Sequence, residues 1–81
     1  MSDSPADVRQ TVVGLLARLG RLPDDFTSDQ PLFGGGVGLD SLETAELSAA
    51  LDAAHGSDPF LAGRMPRTLD EIVAFYAPPR A

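Results

Sequence analysis

The chain has 81 residues, no cysteine, one histidine and a formal net charge of −6. Those bounds describe one small domain, residues 1–81, with one modest core most easily built from packed helices. They exclude a disulfide framework, a thiolate metal site and a thiol nucleophile. All six basic residues are arginines, and an acidic chain of this kind repels nucleic acid and anionic membranes while attracting partners with basic patches. Met1-Ser2-Asp3-Ser4-Pro5 has neither the basic start nor the apolar run of a signal peptide, and nowhere is an apolar stretch long enough to cross a bilayer. The expectation is a cytoplasmic monomer without membrane or nucleic-acid partners.

Ser4-Pro5-Ala6-Asp7 reads as a helix start, with Ser4 as cap and Pro5 in the first helical position. Val8, Val12, Leu15, Leu16 and Leu19 come next at helical spacing on one face, and Gly20 is a natural stop, which predicts a first helix over about 5–19. Leu22, just past that stop, is placed to fold back on the last turn. From Gly20 to Leu39 no periodicity persists, so a long loop is expected there. A loop of this length must be functional, disordered or held down by its own side chains, and Phe26, Leu32 and Phe33 are the groups expected to hold it.

Gly34, Gly35, Gly36 and Gly38 then let the backbone bend sharply into Leu39-Asp40-Ser41-Leu42-Glu43. Asp40 is a good N-cap and Glu43 completes a capping box, so a second helix is expected over about 41–54, stopping near Gly56. Ser41 falls at its first position, where the helix dipole favours an attached phosphate. On the helical wheel Leu47, Leu51 and Ala54 form a core stripe flanked by Ala50 and Thr44. Leu42, Ala45, Glu46, Ala49 and Ala53 lie away from it, a shallow apolar strip edged by Glu43, Glu46 and Asp52 that leads to Ser41. Exposed alanines are also ordinary helix formers, so the strip alone has a structural reading.

Ser57 or Asp58 followed by Pro59 predicts a short third helix over 59–63, ended by Gly63 and Pro66. Thr68-Leu69-Asp70-Glu71 reads as a second capping box, opening a last helix over 69–76 with Leu69, Ile72, Val73 and Tyr76 on one side and Pro78-Pro79 as its stop. The fold class is all-α: a four-helix bundle with a short third helix and a long loop between helices 1 and 2.

Catalytic chemistry finds little support in these residues. His55, the one histidine, lies about 21 Å along the helix axis from Ser41, too far to serve it as a base. The glycine run before Ser41 has no lysine and no strand leading into it, unlike a phosphate-binding loop. Asp24, Asp25 and Asp29 lack the spacing of a calcium loop, and one histidine without cysteine makes a poor zinc site. No catalytic residue and no metal site is expected. Ser41 reads instead as a place to attach something.

Gly38-Leu39-Asp40-Ser41-Leu42-Glu43, followed by Thr44-Ala45-Glu46-Leu47 and Leu51, resembles the attachment motif of acyl carrier proteins. The likeness extends over nearly the whole chain, through the first helix, the long loop and the Thr68-Leu69 start of the last helix. The resemblance implies a non-catalytic carrier in which Ser41 bears a 4′-phosphopantetheine arm, placed there from coenzyme A by a phosphopantetheinyl transferase. The arm's thiol would hold acyl groups as thioesters, and Asp40 would serve recognition by the transferase. Leu42, Glu43, Ala45, Glu46 and Ala49 would meet partners such as an acyl-loading enzyme, a ketosynthase or tailoring and transfer enzymes. His55 stands where the family commonly has a core phenylalanine, and Arg64 and Arg67 bring positive charge to a region usually acidic in fatty-acid carriers. These departures point to a discrete carrier of polyketide or other specialised biosynthesis. An aminoacyl or peptidyl carrier, or an unmodified helical interaction module, are the alternatives.

Overall fold

The computed structural model describes residues 4–77, within which three α-helices form: α1 (Pro5–Arg18), α2 (Ser41–His55) and α3 (Leu69–Tyr76). The Ser4 hydroxyl accepts the Asp7 N–H at 3.2 Å and Pro5 occupies the first turn, so α1 starts where its capping residues require. Gly20, at φ +70°, ends it: the Arg21 N–H reaches the Leu16 carbonyl at 2.8 Å and the Gly20 N–H the Ala17 carbonyl at 3.2 Å. That pair of bonds is a Schellman motif, and it satisfies carbonyls the helix end would otherwise orphan. Gly56, at φ +75°, closes α2 in the same left-handed conformation.

α1 packs against both α2 and α3. Val8, Val12, Leu15 and Leu16 supply its buried stripe, met by Leu47 and Leu51 from α2 and by Leu69 and Ile72 from α3. The stripe expected of α2 is the one it buries: Leu47 and Leu51 are fully covered, and Ala50, Ala54 and Thr44 are half-buried beside them. Among the described residues there is no strand.

The third helix expected over 59–63 is a turn. Asp58 begins it, with the Ala62 N–H bonded to the Asp58 carbonyl and the Arg64 N–H to that of Pro59, and Gly63 at φ +79° breaks it off. Glycine and proline so close together leave too few residues to propagate a helix. Asp58 is buried, and its carboxylate accepts bonds from the Ser48 hydroxyl of α2 and from the Phe60 N–H, so the turn is bolted to α2 by a side chain.

The α3 cap also differs in detail from the expected box. Thr68 accepts the Glu71 N–H at 3.2 Å, but the Glu71 carboxylate reaches back to the Arg67 N–H, one residue beyond the cap. α3 gives way at Ala77 to extended backbone, ψ 138°, which is the conformation a residue before proline adopts. The stop assigned to Pro78-Pro79 itself lies outside the described residues.

The long loop is packed down. Leu32 is fully buried, and Phe26 and Phe33 lie partly buried against the core, as expected. Val37 and Leu39 add two anchors beyond those expected, and both are buried. Backbone bonds stitch the loop to the chain before α3 and to its first turn: the Leu32 N–H to the Arg67 carbonyl at 2.8 Å, the Asp70 N–H to the Ser28 carbonyl at 3.0 Å. The loop also doubles on itself, with the Leu39 N–H on the Leu32 carbonyl and the Val37 N–H on that of Pro31. Gly36 makes this possible, since a Cβ there would stand 1.9 Å from the Pro31 carbonyl oxygen.

His55 is half-buried where the three helices meet. Its Nε2 lies 3.0 Å from the Thr11 hydroxyl of α1, and its ring sits 5.1 Å from that of Tyr76 in α3. The Tyr76 hydroxyl in turn donates to the Ser57 carbonyl at 2.6 Å. One hydrogen bond, to Thr11, and one ring contact, with Tyr76, thus make His55 a junction of all three helices.

Candidate functional site

The start of α2 is fixed by four bonds on one residue. The Asp40 carboxylate accepts the Glu43 N–H at 2.8 Å, and its own N–H donates to Glu43 Oε1 at 3.1 Å, completing the capping box. Its carbonyl accepts the Thr44 N–H at 2.8 Å and the Thr44 hydroxyl at 2.7 Å. Below it, Leu39 is buried and bonded to Leu32. Ser41 is therefore held on a rigid platform while its own side chain is exposed, and its hydroxyl has no hydrogen-bond partner among the described residues.

That arrangement suits a phosphodiester on Ser41 Oγ. The hydroxyl is accessible, it competes with no internal bond, and it stands at the positive end of a helix of 15 residues. Asp40 caps through the Glu43 amide, so modification of its neighbour leaves the cap intact. His55 ends the helix that Ser41 begins, so the two side chains stand apart.

The strip beyond Ser41 is on the solvent face. Leu42 is 71 % exposed, and Ala45, Glu46 and Ala49 are exposed in line with it. Glu43, expected to close the capping box and to meet partners, has both carboxylate oxygens engaged within the chain. One of its oxygens closes the capping box and the other takes the Arg21 Nε at 2.7 Å, leaving its side chain 13 % exposed. The Arg21 bond, and then the Asp40 amide, hold the Glu43 carboxyl below the ordinary glutamate range, and the same contact raises Arg21. The acidic edge of the strip is carried by Glu46 and Asp52, not by Glu43.

No family model, no curated protein and no solved structure matches this chain.

Two features of the geometry go beyond the sequence expectation. The strip continues onto α1 through a groove lined by Leu15, Arg18, Leu19, Glu46, Ala49 and Ala50, which widens the face beyond one helix. Leu15 stands at one edge of the apolar stripe of α1, and Leu19 caps the helix just past its last turn. The second feature is at the other end of the long loop, where Phe33 packs edge-on against Phe60 at 6.3 Å and Met65 is 68 % exposed. Met65 has φ 51°, a left-handed conformation that costs a side-chain-bearing residue about 1–2 kcal/mol. Neither exposure nor strain there follows from residue type.

Proposed function

We propose that this chain is an acyl carrier, modified at Ser41 with 4′-phosphopantetheine. The observation that carries the reading is an exposed, unbonded Ser41 hydroxyl at the first position of a fully capped helix, beside an exposed Leu42. In the modification, Ser41 Oγ attacks the pantetheine-side phosphorus of coenzyme A. An O–P bond forms, the pyrophosphate bond breaks, adenosine 3′,5′-bisphosphate leaves, and the serine proton passes to a base of the transferase. The arm would supply the thiol that the cysteine-free chain lacks, to hold an acyl group as a thioester.

The chain's own residues do the rest by presentation. Asp40 and Glu43 lock the backbone on which Ser41 rides, so a transferase meets a preset nucleophile rather than a mobile one. Leu42, Ala45 and Ala49 offer apolar contact, and Glu46 offers charge to basic loading, condensing and tailoring enzymes. On this reading the turn at 59–63 takes the place of a short third helix in a four-helix carrier bundle, working in the cytoplasm. Arg64 and Arg67, both exposed, favour specialised biosynthesis over a housekeeping fatty-acid role.

Intact mass after incubation with coenzyme A, magnesium and a promiscuous phosphopantetheinyl transferase tests this. One pantetheine adduct, mapped to Ser41, is the expected result. An unchanged mass with several active transferases would leave an unmodified interaction module as the reading. Loading of the arm by adenylating enzymes specific for amino acids would move the assignment to an aminoacyl carrier.

A further inference from the structure

We infer that Arg21 sets partner specificity at Ser41 by withholding Glu43, so that basic partners read this chain through Glu46 and Asp52, farther along α2. The inference rests on the carrier reading above and adds to it a residue from outside α2. Ser41 lies between Asp40 and Glu43 in sequence, and both carboxylates are engaged within the chain. Glu43 is the more completely spent. Its Oε1 takes the Asp40 N–H, its Oε2 takes the Arg21 Nε at 2.7 Å, and its side chain is left 13 % exposed. Glu46 and Asp52 are exposed, and their carboxylates form no ion pair among the described residues.

Both members of the pair are set in place by bonds of their own. The stop of α1 delivers Arg21: Gly20 turns the chain at φ +70°, and the Arg21 N–H bonds the Leu16 carbonyl at 2.8 Å. The cap of α2 delivers Glu43, whose carboxylate is folded back on the Asp40 amide. An ordinary surface pair loses much of its worth to the entropy of holding two long side chains. Here the backbone of one partner and the carboxylate of the other are fixed independently of the pair, so less freedom is lost. Glu43 first, and the Asp40 charge in lesser part, raise the Arg21 guanidinium above its ordinary value, so one cation answers both acids beside Ser41.

The consequence lies in what a partner gains. A lysine or arginine that takes Glu43 must first displace Arg21, which exchanges one ion pair for another and leaves a cation facing the newcomer. The same group on Glu46 meets an unpaired carboxylate and gains the whole interaction. Partners with basic residues placed against the first turn of α2 are therefore disfavoured, and those with basic residues one turn farther on are favoured.

The test measures pantetheine transfer from coenzyme A to the full chain by a phosphopantetheinyl transferase whose docking face is basic, at low and high salt. Arg21→Gln is expected to lower KM severalfold at unchanged kcat, with the difference shrinking as salt rises. The Arg21 bond in the helix stop comes from its backbone, so the variant keeps the fold, which thermal melts report. Arg9→Gln removes the same charge from an earlier turn of α1, in a depression lined by Asp24 and Thr27, and is expected to leave KM nearly unchanged. Most of the gain should vanish in a Glu43→Gln background, where the carboxamide keeps the bond to the Asp40 amide but carries no charge. A KM in Arg21→Gln that is unchanged or raised would overturn the assignment and leave the carrier reading standing. So would an equal gain in Arg9→Gln, or an equal gain with and without the Glu43 carboxylate. Failure of both the wild-type and the Arg21→Gln chains to gain mass at Ser41 would overturn both.

Discussion

Arg21 and Glu43 meet at 2.7 Å, and this one contact ties the end of α1 to the cap of α2. The same carboxylate bonds the Asp40 amide, so the ion pair and the helix cap are a single device. A basic partner approaching the strip would have to displace Arg21 before it could use Glu43.

Acid should expose this coupling. The folded Glu43 carboxyl is held below its ordinary value, chiefly by the Arg21 hydrogen bond. An unfolded glutamate takes up its proton near pH 4.3, and the folded one only at lower pH, so the stabilisation is whole above about 4.3 and is lost as pH falls toward the folded value. Arg21→Ala should flatten the decline of the melting temperature in that window relative to wild type. Identical acid profiles for the two proteins would show that the pair contributes nothing measurable in solvent.

Ser41→Ala should abolish pantetheine attachment while changing stability by no more than about 0.5 kcal/mol, because an exposed and unbonded hydroxyl is removed. Asp40→Ala should cost about 1 kcal/mol through the lost cap. Denaturant melts of both variants, beside their mass spectra, separate the attachment point from its support.

Leu42 and Leu47 belong to the same helix and opposite environments, 71 % exposed against fully buried. Leu47→Ala should cost about 2–5 kcal/mol, while Leu42→Ala should leave the melting temperature nearly unchanged and slow transfer by the modifying enzyme. Glu46→Lys should slow the same reaction mainly at low salt, since its charge is exposed and screenable. Rates measured across a salt series distinguish the two effects.

The glycine run offers a sharper structural test. Gly36→Ala places a methyl against the Pro31 carbonyl and should cost roughly 1–3 kcal/mol or more. Gly35→Ala meets nothing within 4 Å and needs no positive φ, so it should be neutral or gain up to about 1 kcal/mol. Chemical denaturation of this adjacent pair would show whether the loop is built as tightly as its bonds indicate.

The helices are legible in the sequence because their signals are local. Ser4, Asp40, Thr68, Gly20 and Gly56 all act within one turn of where they stand, and all act as their chemistry requires. The segment 59–63 looks helical in sequence because Asp58-Pro59 is a true start signal, whereas Gly63 halts the chain after a single turn. Val37 and Leu39 are buried without a sequence signal, because two apolar residues around one glycine are too few to make a period. The commitment of Glu43 to Arg21 has none, because residues so far apart in the chain meet only through the tertiary fold.

The bond between Leu32 and Arg67 also fixes an order of assembly. The chain leaves that point, runs through the glycine turn, Ser41 and all of α2, and returns to it. Closing so long an excursion costs entropy before any bond rewards it, so the junction forms late, after the helices have docked on α1. Once formed, it holds Leu32, and through Leu32 the Leu39 amide just before the cap of α2. The amides of Leu32 and Leu39 should then exchange their hydrogens with solvent through a shared opening, one event that releases both the loop and the backbone leading to Ser41.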